Sequence, residues 1–298
     1  MRARASRRRL GDWLELVRAP AALTVLGDTV AGAAATGRPL RGRRLALPLA
    51  SATLYWSGMA LNDWADRSVD ADERPERPIP SGRIAPGAAL AVAAALSGGG
   101  LALAAFAGGS DALRAAAALT TAIWAYDTVL KRTRAAPLGM AVCRGLDVLL
   151  GAGGGASART PALALAAHTF GVTALSRGEV HGGRRAEVRL ALTTTLLSAA
   201  LTCGGRAPSG RHRTAAVLCS LVYGATTATA QLAAATARPT SVGLVEPAAV
   251  RAATVAGIHG MVPLQSGLAA RSGSPGAAAL VLGVLPLVRR LSTVRSPT

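Results

Sequence analysis

Residues 61–84 read LNDWADRSVDADERPERPIPSGRI and hold six of the fifteen acidic side chains: Asp63, Asp66, Asp70, Asp72, Glu73 and Glu76. Asn62, Asp66 and Asp70 stand at i, i+4 and i+8. An α-helix turns ~100° per residue, so each step of four drifts about 40° and the three oxygen-bearing side chains share one face. Hard oxygen donors in that pattern suit Mg2+, which takes one or two carboxylates and completes its shell with water and substrate phosphate. A solvated polar loop between apolar segments is the plain alternative. The regular spacing and the basic run after it favour a site.

Two further charged stretches can meet it. WAYDTVLKRTRAAPLG (124–139) carries Tyr126, Lys131 and Arg132. A lysine point charge beside a planar guanidinium suits phosphate oxygens, and Lys131 is the only lysine in the chain. Arg134 fits simple positive-inside topology. ALSRGEVHGGRRAEVR (174–189) offers Arg177 to a phosphate and Glu179 as a second metal ligand, with glycines suited to a turn. Arg144 and Asp147 lie three apart within an apolar segment and are helix neighbours. A buried ion pair explains them, and an anion-facing Arg144 is the sharper alternative. Asp28 is an intramembrane carboxylate with no local partner. Arg18, near the start of the same segment, either reaches up to lipid headgroups or serves a substrate.

The elements that must position these residues follow from composition. The 298-residue chain is 51% hydrophobic with mean hydropathy +0.36, which points to an integral membrane protein. The net charge of +18 would suggest nucleic acid in a soluble protein, but here the arginines lie between apolar blocks, which fits headgroups and anionic substrates. No nucleic-acid partner is expected. Cys143, Cys203 and Cys219 show no metal-ligand spacing. A span needs about 20 apolar residues, and ten stretches approach that: 13–35, 45–64, 86–107, 111–131, 138–156, 161–177, 187–204, 213–235, 245–268 and 275–291. The prediction is an all-α transmembrane bundle of nine, possibly ten, spans forming a single domain over 1–298, with basic residues 1–11 as a cytoplasmic tail and 292–298 as a short polar tail. Glu246, Arg251 and His259 in the ninth segment receive no role. Lys and Arg favour a cytoplasmic N-terminus by roughly two to one. The aspartate stretch and the Lys131 and Arg177 loops then share one membrane face, in a plasma membrane of bacterial type.

The run Asn62-Asp63-x-x-Asp66-x-x-x-Asp70 and its tail RPIPSGR resemble the first aspartate-rich motif of the UbiA-type intramembrane prenyltransferases. LVRAPAALT near the start, Tyr126 to Lys131 after the fourth span and an acidic loop after the sixth follow the same order. YDTVLKR, CRGLDVLLG and LSRGEV are further similar to the family's EboC-like branch. The resemblance implies a membrane enzyme that ionises a prenyl diphosphate with Mg2+ and joins its allylic carbon to a lipophilic, often aromatic, acceptor. It implies Asn62, Asp66 and Asp70 as metal ligands, beside the Glu179 that the third charged stretch offers. The diphosphate contacts are expected at Arg18, Arg77, Lys131, Arg132, Arg144 and Arg177. The catalytic set is Asp66, Asp70 and Tyr126, the tyrosine near the reacting carbon. The family's second motif carries two aspartates, where this chain has Ser176-Arg177-Gly178-Glu179. A single metal, with Arg177 supplying part of the second one's charge, is one solution. A non-catalytic isoprenoid carrier or a transporter on the same scaffold is the alternative.

Overall fold

Segments that meet lipid must satisfy their backbone groups internally, which dictates helices. The computed structural model describes residues 10–38, 40–204 and 207–294. Among them the only extended pairing is one antiparallel bridge, Gly183 with Val245. The basic tail at 1–9 lies outside the described residues. Leu49, Leu163, Leu196, Leu221 and Leu280 face outwards, whereas Asp28, His168, Ser198, Gln231 and Gln265 are enclosed. That inversion of the soluble pattern is the one a bundle in lipid requires.

Helix α1 covers 10–16 and α2 covers Leu23–Ala35. The sequence predicts one span over 13–35. The chain instead breaks at Arg18, whose φ of 46° is left-handed, and passes through a 3-10 turn at Ala19–Ala22. Pro20 has no N–H with which to continue α1, so the break falls beside it. Helix α3, Ala46–Glu73, runs past its predicted end at 64 and carries every residue of the aspartate set on regular helix.

Helix α4, Pro86–Thr128, contains two predicted spans, interrupted at Gly109 with φ 68° and ψ −152°. Trp124 Nε1 donates to Ser97 Oγ at 3.0 Å across 27 residues. Straight helix would hold those groups about 40 Å apart, so the chain reverses at Gly109 into a helical hairpin. Glycine alone takes such a backbone without a Cβ clash.

The remaining helices are α5, Ala136–Ala152; α6, Arg159–Ser176; α7, Arg185–Cys203; α8, Gly210–Thr236; and α9, Pro247–Arg271. The predicted tenth span, 275–291, is two short helices, α10, Pro275–Gly283, and α11, Leu285–Val294. Helices α4, α5, α9 and α10 each carry a proline in the first turn, where a missing N–H costs nothing. Pro86–Thr128 and Gly210–Thr236 are long and apolar enough to cross a bilayer.

Helix α2 packs against α3, α5 and α9. Its crossing with α5 is closed by glycine. A Cβ on Gly32 would stand 1.9 Å from the Val148 carbonyl oxygen, and one on Gly151 2.2 Å from that of Thr29. Small residues at such a crossing let two backbones meet where lipid supplies no hydrophobic drive. Alternating helix directions bring α1 and the C-terminal ends of α3, α4, α6 and α8 to one end of the bundle. Contacts from Arg18 to Asp63, Arg132 to Asp66, Arg177 to Thr133 and Gly183 to Val245 tie that end together.

Candidate active site

Helix α3 sets the site by rotation. With Asn62 at zero, Asp66 lies at about 40°, Asp70 at about 80° and Asp63 at about 100°. The face divides between two sets of cations. On one side, Asn62 Nδ2 donates to Asp127 Oδ1 at 3.0 Å. Lys131 Nζ donates to Asp66 Oδ2 at 2.7 Å, and Arg132 Nη2 to Asp66 Oδ1 at 3.1 Å. On the other, Arg77 Nη1 donates to Asp70 Oδ2 at 2.6 Å and stands 3.6 Å from Asp63 Oδ1. Arg18 Nη2 donates to that same Asp63 oxygen at 3.1 Å.

Local structure fixes these groups. Lys131 and Arg132 sit on a 3-10 turn, Leu130–Arg132, directly after α4. The same turn bonds Arg132 to the Ala65 carbonyl at 3.0 Å, which locks it to α3. The RPIPSGR tail has a separate task. Arg83 donates to Asp12 at 2.6 Å, to Glu15 at 2.9 Å and to the Glu76 carbonyl at 2.6 Å. These bonds hold α1 over the cluster and place Arg18 at Asp63. The Glu15 and Asp12 carboxylates push the Arg83 pKa further up, so the clamp keeps its charge. Tyr126 lies one residue before Asp127 near the end of α4, and its ring packs so tightly on Gly139 that a Cβ there would stand 3.0 Å from it.

The expected second half of the site is divided. Arg177 Nη1 donates to the Thr133 carbonyl at 2.9 Å, beside the turn that holds Lys131 and Arg132. Glu179 faces elsewhere: the groups acting on it are Thr254 and Arg251 of α9, and partial burial raises its pKa. The Gly183–Val245 bridge, with hydrogen bonds of 3.2 and 2.8 Å, braces the α6–α7 loop against the chain entering α9. Glu179 is therefore not brought to Asn62, Asp66 and Asp70, as the sequence had suggested.

Arg144 needs a similar correction. It pairs with Asp28 Oδ2 at 3.1 Å rather than with Asp147, and also donates to the Thr24 carbonyl and to Met261 Sδ. Asp147 Oδ2 accepts from Ser51 at 2.8 Å, and Gln265 donates to Asp28 Oδ1 at 2.7 Å. The side chains at i and i+3 share a helix face, but Asp28 on α2 satisfies the guanidinium better. Arg144 is thus committed to holding α2, α5 and α9 together inside the bundle.

Two functional candidates were missed by sequence reasoning. Asp63 anchors Arg18 and Arg77. Asp127 holds Asn62 and feels Lys131 and Asp66. The signal for Asp127 was present, since it lies four residues before Lys131 at the end of a helix, where i and i+4 are neighbours. Asn62, Asp66 and Asp127 supply two carboxylates and an amide within mutual reach. That donor set fits one hard cation that keeps water and phosphate oxygens in its remaining positions. Among the described residues no three His, Cys, Asp or Glu side chains form a ready-made metal cage.

Comparison with known proteins bears on the fold and the family. Digeranylgeranylglyceryl phosphate synthase of Korarchaeum cryptofilum is 36% identical over 125 residues, 42% of this chain and 44% of that protein. The enzyme of the same name from Methanopyrus kandleri is 47% identical over 79 residues, 25% of this chain and 27% of that one. The chain thus spans less than half the length of these curated relatives. The apo structure of a UbiA homolog from Aeropyrum pernix K1 superposes with TM-score 0.61 at 16% identity, covering 90% of this chain and 98% of that one. A structure of a digeranylgeranylglyceryl phosphate synthase covers 96% of each chain with TM-score 0.52 at 17% identity. Both show a shared fold. The UbiA prenyltransferase family model matches residues 22–297, and the chain belongs to that family.

Proposed function

We propose that the protein transfers an isoprenyl group from a prenyl diphosphate to a lipophilic acceptor within the membrane, using Mg2+, and acts as one helical-bundle domain. The observation that carries this is the Asp66 carboxylate gripped by Lys131 and Arg132 beside the Asn62–Asp127 hydrogen bond. Lys131, Arg132, Arg77 and Arg18 form a basic rim that can pass from carboxylate to diphosphate oxygens. Asn62, Asp66 and Asp127 would hold the cation, with Asp70 keeping Arg77 in place. Bound Mg2+ supplies charge neutralisation at the departing diphosphate, where negative charge develops. Tyr126 lies at the same mouth and would face the allylic carbon. Arg177 adds positive charge where the family's second motif has carboxylates. The apolar interior takes the isoprenoid chain and keeps water from the cation formed at ionisation. The relatives' names make a prenylated glyceryl phosphate a first acceptor to test, beside aromatic ones. The mouth faces the cytoplasm in this reading, following the Lys and Arg bias.

The test incubates purified protein with labelled prenyl diphosphates, Mg2+ and acceptors of both classes. Mg2+-dependent diphosphate release with a prenylated product is expected. The orientation of Glu179 towards α9 favours a second reading, a non-catalytic isoprenoid carrier. Saturable, Mg2+-independent binding of prenyl lipids without diphosphate release from any donor would establish that reading instead.

A further inference from the structure

Helix α9 carries chemistry that the diphosphate mouth does not use. An open groove of about 640 Å3 runs along its outer face against α8. Ala248, Ala252 and Ala256 follow at i, i+4 and i+8 and form its floor, with Thr226 of α8 beside them. Three methyl side chains in one helical row, with Val255 beside them, make its surface apolar. The charged side chain in its lining is Arg251. Arg251 stands one turn inside the start of α9, exposed, and His259 lies about 12 Å further along the axis.

Arg251 sits at the end of the bundle where Arg184, Arg185, Arg189 and Arg238 are also exposed or partly so. The acidic group acting with it is Glu179, half-buried behind it against Thr254. A positive head at the polar end of an apolar trough is complementary to one kind of bilayer molecule. We infer that the α8–α9 groove is a binding site for an anionic phospholipid of the surrounding membrane, with an acyl chain along Ala248–Ala252–Ala256 and the headgroup phosphate on Arg251. A zwitterionic lipid fits the trough but gains less from the guanidinium, because its own ammonium offsets the phosphate. The site is separate from the basic rim around Asp66. It touches the α6–α7 loop through Glu179, so an occupied groove also steadies the loop that carries Arg177.

The test reads lipid binding and does not depend on prenyl transfer. Full-length protein is placed in nanodiscs containing spin-labelled phosphatidylglycerol or phosphatidylcholine, and the immobilised fraction is measured. Phosphatidylglycerol is expected to be held about fivefold more strongly, the preference that one basic side chain near the membrane surface supplies. Arg251→Gln should bring the ratio close to one. Ala252→Trp should fill the trough and remove the corresponding immobilised component for both labels. Arg189→Gln, an exposed cation at the same end but off the groove, should leave the preference intact. Equal retention of both lipids by the native chain, or an unchanged preference in Arg251→Gln, would overturn the inference. So would displacement of the labelled lipid by a prenyl phosphate at concentrations where added phosphatidylglycerol has no effect, because the groove would then belong to the isoprenoid. Arg251→Gln, at an exposed position, decides the matter if Ala252→Trp does not accumulate.

Discussion

Two charge clusters share this bundle, and they differ in how far they are closed off. The Asp28–Arg144–Gln265 cluster is closed: Asp28 is fully buried and Arg144 nearly so, and their partners come from α2, α5 and α9. The Asp66 cluster is open at one end: Arg132 is 56% exposed and the Asp66 carboxylate 25%. Removing one member of a closed pair leaves a stranded charge, so such a pair acts as a fastener whose loss is felt in folding. At a half-open cluster water screens the ions, each pair contributes little to stability, and the cations can exchange a carboxylate for a ligand. Burial separates Arg144 from Arg132, but not from Arg77 and Lys131, whose side chains are only 15% and 10% exposed; those two are set apart by their place at the open end of the bundle.

The largest effect is expected at the open cluster. Asp66→Ala should lower diphosphate release by roughly 10²–10³-fold, the range for removing one preorganised electrostatic group, with little change in melting temperature. A single-turnover assay beside a thermal scan checks both halves. Unchanged release would remove Asp66 from the site, and a large loss of stability would erase the contrast. Arg144→Met should do the reverse. It strands Asp28 and should destabilise the bundle by about 3–5 kcal/mol, while folded protein keeps its KM for the prenyl diphosphate. Adding Asp28→Asn should recover most of the stability. A raised KM in the double variant would return Arg144 to the diphosphate contacts.

Asp127→Asn tests the boundary of the open cluster more gently. If Asp127 helps hold the cation or orient Asn62, the Mg2+ concentration for half-maximal activity should rise about tenfold, the scale of lost ligand support. An unchanged Mg2+ requirement would leave Asp127 as a helix-end partner for Asn62 alone.

Much of this was legible in the sequence, for physical reasons that also explain the gaps. The i, i+4, i+8 face of Asn62, Asp66 and Asp70 is a local property, and α3 keeps it because the helix continues to Glu73. The spans were legible because hydropathy is local too, and the hairpin at Gly109 appeared as two adjacent predicted spans. The shared mouth of three loops followed from alternation of direction. Partner choice across helices was not legible. Nothing near Arg144 shows that Asp28, on a helix over a hundred residues earlier, outcompetes Asp147. The break at Arg18 was hidden because Arg18 and Pro20 interrupt an otherwise apolar segment without changing its average. Glu179 was misplaced for a related reason. Spacing puts it in the right loop, but the loop is steered by a two-bond bridge to Val245, which no local pattern announces.

Glu179 also gives the smallest and most specific test. Burial raises its pKa, so the folded protein binds the proton more tightly than the unfolded chain does. For a carboxyl shifted upwards, stability is greatest at low pH and falls as pH rises from the ordinary carboxylate range through the raised value. Glu179→Gln removes that titration. The variant should melt slightly higher than the native chain at neutral pH, with the difference shrinking as both are acidified towards the pH where native Glu179 is protonated. Its effect on diphosphate release should stay within about twofold, since a group turned towards α9 holds no transition-state charge. Paired melting curves across the pH range, with release measured at neutral pH, separate the two accounts of this loop. A large loss of activity would mean that Glu179 swings to the mouth during turnover, and the two acidic stretches would then act as one site rather than as a site and a brace.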